Sequence, residues 1–419
     1  MVNLIEEDRL DFENLNILEP ACGTCQFLYG IKKNKNHIFK IANKKIGVEI
    51  NENFVNYTNK LNDSIEIICY DYLLWKSDYY FDIIIGNPPY GIPSLSEHYA
   101  IKINNEIKEI YKKLYETWYG KYNVYGAFIE KSIKLLKENG QLIFIIPATF
   151  MILDEFKKLR SFLAENGKTE IIYMGSDVFK PEADVSTVIL KFIKSSDENK
   201  KLILYEYVNE KLKLLFKDIK WKGEIILFST EFSKRVDEIC SFRISDIYMI
   251  RISPRTPEIK NNPNVFKNAC SNKNLIPILN SKNLKAGKII YEPITGYWIE
   301  KNKKTILREF FEKPHIVVGL GFRERRRIAS AYDYKAYPWM GDVYHLIKKQ
   351  TLTSSKFNLD EQEVVNFLNS EIIKEYIKDI FRDITYHLNI TQLKQLPLPT
   401  KEELKKLYCE FNYELGNFR

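Results

Sequence analysis

A chain of 419 residues with 45% hydrophobic and 14% aromatic content holds enough apolar surface for one large core and a second beside it, so two domains are expected. No apolar run reaches the length of a bilayer-crossing helix, and the acidic stretch Met1–Glu13 lacks a signal-peptide core, which argues against a membrane span and for a cytosolic location. The net charge of +8 is unevenly spread: residues 1–194 carry 24 Lys and Arg against 26 Asp and Glu, and residues 195–419 carry 39 against 29. A basic second half suits a polyanionic partner, although a generally lysine-rich composition accounts for it as well.

Short apolar runs alternate with amphipathic stretches through the first half. Asn16–Pro20, Ile46–Ile50, Ile65–Tyr70, Phe81–Gly86, Gln141–Pro147, Glu170–Met174 and Val185–Ile193 read as seven strands, mostly buried on both faces. Helices are predicted at Gln26–Lys33, Asn53–Lys60, Tyr125–Lys137 and Glu155–Glu165. This alternation predicts an α/β, Rossmann-like domain: a mostly parallel seven-stranded sheet that gains an antiparallel member at its end and binds ligands at the strands' carboxyl ends. After Trp221 the pattern loosens into short mixed elements, which places a boundary near 225. Residues 1–225 form the expected catalytic domain, and 226–419 a mixed α+β domain with one long helix, Glu361–Ile380, and a final helix after Leu396-Pro397-Leu398-Pro399.

The cysteines (Cys22, Cys25, Cys69, Cys240, Cys270, Cys409) are too few for a disulfide scaffold, and only Cys22 and Cys25 have CxxC spacing. With no second pair, and no ligand spacing among the five histidines, no metal is expected.

The first strand ends in Glu19-Pro20-Ala21-Cys22-Gly23-Thr24-Cys25, a small-residue turn into a helix where backbone can approach a nucleotide-like ligand. Glu49 ends the second strand, where a carboxylate can hold both hydroxyls of a ribose. Asp71 and Tyr72 end the third, a pair suited to accept from an adenine amine and cover its ring. Either carboxylate taken singly reads equally as a helix cap or loop acid. Asn87-Pro88-Pro89-Tyr90 ends the fourth strand. An aromatic amine is a poor nucleophile because its lone pair is delocalised. Two fixed acceptors, the Asn87 side-chain oxygen and the Pro88 carbonyl, can bind both amine hydrogens and aim that lone pair at a methyl donor, while the prolines stiffen the loop. Tyr90 then stacks on a base that a duplex exposes only when flipped out. An ordinary Asn-Pro turn is the bland alternative.

With these motifs in this order, the sequence resembles the gamma-class amino-methyltransferases, and more narrowly the TaqI-type adenine-N6 modification methylases. The resemblance extends through Lys121–Phe128 (KYNVYGAF), Pro147–Phe150, Leu159–Leu163 and Trp221–Ile226 into Ala336–Trp339 (AYPW) and Phe367–Glu371 (FLNSE), so it spans nearly the whole chain. It implies S-adenosylmethionine as cofactor, held by Glu19, Ala21, Cys22, Gly23, Glu49, Ile50, Asp71, Tyr72 and Phe128. It implies duplex DNA as substrate, TCGA as the first site to test, and a cognate restriction endonuclease as partner. Asn87 and Pro88 would bind the target amine, and Tyr90 and Phe179 would hold the flipped base. Without the resemblance Phe179 reads as a core aromatic. Pro397 matches a proline that fills the space left by the flipped base, and equally reads as a plain loop proline. Two departures concern the methionine end of the cofactor: only fifteen residues precede the first strand, none matching the family's Thr-Pro capping segment, and Cys25 stands where glycine is usual.

In the second domain, Arg323, Arg325, Arg326 and Arg327 form the best basic cluster, suited to phosphate or guanine; a solvated charged loop is the alternative. Competing functions are methylation of a protein glutamine, methylation of RNA, and a DNA-binding homologue whose cofactor pocket has decayed.

Overall fold

The apolar runs of the first half become neighbouring strands, and the central ones, β1, β2, β4 and β7, are buried on both faces. Strands β1 (Asn16–Pro20), β2 (Lys44–Glu49), β3 (Glu66–Cys69), β4 (Phe81–Gly86), β5 (Leu136–Pro147), β6 (Gly167–Gly175), β7 (Thr187–Lys194), β8 (Leu202–Val208) and β9 (Lys211–Asp218) form one sheet in the order β3-β2-β1-β4-β5-β7-β6-β8-β9. The computed structural model describes all residues except 62–63, 95–100, 197–200, 269–273, 322–327, 352–354, 386 and 412–419. β1 to β5 run parallel, and β7 inserts antiparallel between β5 and β6, the antiparallel member expected. The α/β class is as predicted, but the sheet has nine strands rather than seven. The added pair, β8 and β9, is a hairpin closed by Asn209 and Glu210, both at positive φ (48° and 62°), a two-residue turn whose twist matches the strands. The Lys-rich outer face of β9 masks its apolar alternation in the sequence.

Helices α1 (Gln26–Asn34), α2 (Asn36–Ile41), α3 (Glu52–Asn59), α4 (Asn105–Leu114), α5 (Val124–Leu135) and α6 (Lys157–Asn166) connect these strands. α1 and α2 lie over a core of Leu28, Ile31, Ile38 and Phe39 with Ile17, Ile83, Ile85 and Ile143 of the sheet. The extreme N-terminus is tied to the sheet as well: the Glu6 amide donates to Gln141 Oε1 (2.8 Å), and Lys191 pairs with the Glu6 carboxylate.

The chain divides into two compact units, Met1–Leu227 and Phe228–Arg419. In the second, strands Tyr248–Ile252, Val343–Lys348, His315–Gly319 and Ser330–Asp333 form an antiparallel sheet in that order, and Leu275–Pro277, Tyr297–Glu300 and Val265–Lys267 a smaller one. A core of Leu279, Ile299, Phe311, Val317 and Trp339 joins them. The single helix expected over Glu361–Ile380 is two, Glu361–Leu368 and Glu371–Phe381. Asn369 ends the first helix with its backbone still helical, its side-chain amide donating to the Ser330 carbonyl (2.9 Å) and its oxygen accepting from the Ser330 amide (3.0 Å), and the chain turns extended at Ser370 (ψ 160°). Ser370 then caps the next helix through the Ile373 amide. The predicted final helix is present at Lys401–Glu410. No helix among the described residues is long and apolar enough to cross a membrane.

Candidate active site

The loops that follow β1, β2, β3 and β4 all leave the same edge of the sheet. The β1 loop is held from below by two carboxylates. Glu19, buried, accepts from the amides of Phe27 (3.2 Å) and Leu28 (2.8 Å) in the first turn of α1. Those donors would otherwise lack partners, and the positive end of the helix favours an acid there. Burial nonetheless dominates and pushes the Glu19 carboxyl up to about 8, against the pull of the two amides. Relative to the unfolded chain, stability from this group is complete below about pH 4.5 and is lost as the pH rises through about 8. The melting temperature of the wild type should therefore fall more steeply than that of Glu19→Gln between about pH 5 and 8. Parallel pH profiles would remove this role.

Glu49 accepts from the Gly23 amide through Oε2 (2.8 Å) and from the Asn51 amide through Oε1 (2.8 Å). A carboxylate has roughly four lone-pair sites, so acceptor capacity remains. Ala21, Gly23 and Cys25 all sit at positive φ (50°, 53° and 58°). For Cys25 this explains why glycine suits the position better, since the left-handed region crowds a Cβ. Nothing stands within 4 Å of where a Gly23 Cβ would be, so the loop is open on that side. Beneath it, Cys22 and Cys25 are both buried and pack against Gly47 of β2. A Cβ at Gly47 would lie 2.8 Å and 2.9 Å from their sulfurs and 3.0 Å from Ile67 Cδ1. Gly47→Ala should cost about 1–3 kcal/mol by overpacking and displace the loop, read as a lower denaturant midpoint together with weaker cofactor binding in calorimetry. A variant equal to the parent in both would contradict this packing role.

At the end of β3, Tyr72 is buried, its ring 4.9 Å from that of Phe128 and its hydroxyl 2.9 Å from Ser132 Oγ. Lys131, from the same helix α5, donates to the carbonyls of Tyr72 and Trp75 and lies over the Tyr72 ring at 4.9 Å. Burial pushes this lysine down to about 8. The other end of α5 grips the loop after β4: the Gly91 amide donates to Asn123 Oδ1 (2.8 Å), and the Val124 amide to the Gly91 carbonyl (2.9 Å). One rigid helix thus fixes the Tyr72 loop and the Asn87–Tyr90 loop against each other. Local patterns do not single out Asn123 or Lys131; Asn123 lies in the KYNVYGAF run, where only Phe128 drew a role.

β4 is hydrogen-bonded beside β1, and its last residue, Gly86, packs closely on the β1 loop, with the Pro20 carbonyl 3.2 Å from a would-be Cβ. The two loops therefore emerge side by side. Asn87 is exposed, and no described residue donates to the Pro88 carbonyl. The Tyr90 hydroxyl lies 2.5 Å from Asn87 Oδ1 and 2.7 Å from the Ile145 carbonyl. Burial raises its pKa well above the usual phenol value, so it keeps its single proton. That one proton faces two acceptors, the Ile145 carbonyl and Asn87 Oδ1, and the Asn87 oxygen keeps a second lone pair for another donor. Tyr90 and Phe179 are brought together, ring centroids 6.2 Å apart, but they meet at 66°, edge to face, so no parallel slot stands open between them.

The remaining candidates lie in the second unit. Pro397 is buried in a short strand paired with Arg243, not in a loop. Arg323, Arg325, Arg326 and Arg327 lie outside the described residues.

Residues 17–179 match the family described as Eco57I restriction-modification methylase, and residues 276–398 the TaqI-like C-terminal specificity domain. The type II methyltransferase M.TthHB8I of Thermus thermophilus is 39% identical over 392 residues, covering 92% of this chain and 86% of that protein. The type II restriction enzyme and methyltransferase RM.Eco57I of Escherichia coli is 35% identical over 182 residues, 42% of this chain and 17% of that one. Among solved structures, the type IIL restriction-modification enzyme MmeI in complex with DNA is alike in fold, with a TM-score of 0.53 at 12% identity, covering 96% of this chain and 66% of that one. With 39% identity across almost all of both chains and two family matches in the same order, this chain belongs to the type II methyltransferases of restriction-modification systems.

Proposed function

We propose that the chain methylates N6 of an adenine flipped out of a short duplex DNA site, with S-adenosylmethionine as donor and TCGA as the first site to test. The observation that carries the reading is the emergence of the Gly23 loop and the Asn87–Tyr90 loop from adjacent strands β1 and β4, one open above its backbone and the other bearing two acceptor oxygens: Asn87 Oδ1, with a second lone pair beside its bond to Tyr90, and the Pro88 carbonyl, to which no described residue donates.

The residues fit the cofactor. The open face over Gly23 admits its chain, Glu49 has acceptor capacity left for two ribose hydroxyls, and Ile50, 69% exposed, is an apolar side chain at a strand end where a purine face would cover it. Glu19, Ala21 and Cys22 shape the turn; Asp71 accepts from the purine amine, and Tyr72 with Phe128 backs the ring. Bound there, the cofactor supplies a methyl group on a positively charged sulfur, the electrophile of the reaction.

The chain's own residues make the acceptor amine reactive. The Asn87 amide oxygen and the Pro88 carbonyl bind its two hydrogens and favour a pyramidal nitrogen whose lone pair points at the donor. Pro88 and Pro89 hold that geometry before the base arrives, so little ordering remains to be done in the reaction. Tyr90 stays protonated between Asn87 Oδ1 and the Ile145 carbonyl and offers its face to the base. Phe179 turns from its edge-to-face position to cover the other side. The second unit docks the duplex through its excess positive charge, and a restriction endonuclease cutting the same site is the partner this activity protects against.

Incubation with labelled S-adenosylmethionine and unmethylated duplex DNA, followed by digestion to nucleosides, tests the reading. Label in N6-methyladenine is expected. Label only in protein or RNA overturns it, and DNA binding without cofactor binding or transfer would mark a decayed enzyme.

A further inference from the structure

Asp71 is not alone at the adenine end of this site. Its Oδ1 accepts from the Leu73 amide (2.9 Å), and its Oδ2 accepts from the hydroxyl of Tyr111 on α4, forty positions along the chain. Tyr111 cannot swing freely. It is buried, with the rings of Tyr115 and Trp118 at 6.5 Å and 6.2 Å, and Tyr115 itself donates to the Leu73 carbonyl at 2.5 Å. We infer that Tyr111 is a positioning residue that fixes the Asp71 carboxylate as a pure acceptor and so makes the cofactor pocket select a 6-amino purine over a 6-oxo purine.

The inference rests on the proposed contact of Asp71 with the purine amine. A carboxylate offers roughly four lone-pair sites, and the two donors occupy two of them in set directions. What remains points the same way in every molecule and can only accept. A 6-amino group satisfies it, whereas a 6-oxo group sets acceptor against acceptor and leaves both unpaired. Burial and the neighbouring Asp71 charge raise the Tyr111 phenol far above neutrality, so it remains a donor throughout the working pH range. Without that hydroxyl the carboxylate is free to rotate, and the penalty for the wrong purine falls.

The readout is binding rather than turnover. Calorimetry with S-adenosylhomocysteine and S-inosylhomocysteine gives the selectivity ratio, expected on the order of tenfold to a hundredfold in the wild type. Tyr111→Phe should lower that ratio about tenfold, mainly by weakening the adenosyl ligand. Tyr115→Phe, which loosens the same helix and loop through the Leu73 carbonyl, should leave the ratio unchanged. An unchanged ratio in Tyr111→Phe, a rise in adenosyl affinity, or an equal fall in Tyr115→Phe overturns the proposal. Asp71→Asn separates the two layers. If its ratio collapses while that of Tyr111→Phe does not, only the role of Tyr111 fails. If Asp71→Asn keeps the wild-type ratio, the contact of Asp71 with the purine amine fails, and the proposal with it.

Discussion

Replacing Asn87 with Ala lowers single-turnover methyl transfer by roughly 10²–10³-fold or more, while calorimetry finds cofactor affinity close to that of the wild type. The expectation follows from where Asn87 stands. It is exposed at the end of β4, and among the described residues no hydrogen bond joins it to the β1 loop, whose holds are Glu19 and Glu49. Its loss removes one of two acceptors for the amine hydrogens. One hydrogen is then unbound, the nitrogen relaxes towards planarity, and its lone pair returns to the ring. The Pro88 carbonyl alone cannot restore the geometry, because one hydrogen bond leaves the amine free to rotate about it. Asn87→Asp keeps an acceptor and should retain part of the rate. An Asn87→Ala enzyme that turns over at the wild-type rate would contradict the acceptor role, and one that loses cofactor binding equally would move Asn87 to the donor side of the site.

Trp339→Ala should destabilise the second unit by about 3–5 kcal/mol and abolish DNA binding while leaving cofactor binding in the first unit. Trp339 is fully buried in the core with Leu279, Phe311 and Val317. Its indole nitrogen donates to Asp333 Oδ2 at 2.8 Å. Asp333 is itself buried and also accepts from the Tyr291 hydroxyl (2.8 Å) and the Tyr337 amide (3.1 Å). Truncation leaves a large cavity and takes one donor from a buried acid, two costs that add. Scanning calorimetry should then resolve an early transition for Phe228–Arg419 ahead of Met1–Leu227. Trp339→Phe, which keeps most of the volume and loses only the donor, should fall between. A single unshifted transition in Trp339→Ala would refute the assignment of this core to the stability of the second unit.

The limits of β1 and β4 can be read directly from the sequence, because Asn16–Pro20 and Phe81–Gly86 are apolar runs cut off by loop-forming residues, and a strand buried on both faces needs nothing more to declare itself. The hairpin of β8 and β9 is harder to see, since Leu212 and Leu214 alternate with lysines on an edge strand that is mostly exposed. Glu361–Ile380 reads as one helix because its apolar spacing runs on through the break. The break is the extended Ser370, which caps the second helix, next to Asn369 bonded to Ser330 on a strand thirty-nine positions away, and apolar periodicity carries no trace of either.

The same division runs through the site. The sequence by itself determined which residue types stand at the strand ends, Asn87-Pro88 after β4 and the acids Glu19, Glu49 and Asp71 at or after β1, β2 and β3, and their order, because residue type and strand ends are local properties. Only the tertiary structure decided how those groups are held. It placed Gly86 against the Pro20 carbonyl, the two thiols of Cys22 and Cys25 on Gly47, Tyr111 on Asp71, and α5 between the two loops. It also set Tyr90 and Phe179 edge to face rather than parallel. Each of these depends on side chains far apart in the chain meeting at hydrogen-bond or van der Waals distance, and such meetings are fixed by packing, which no repeat of apolar residues encodes.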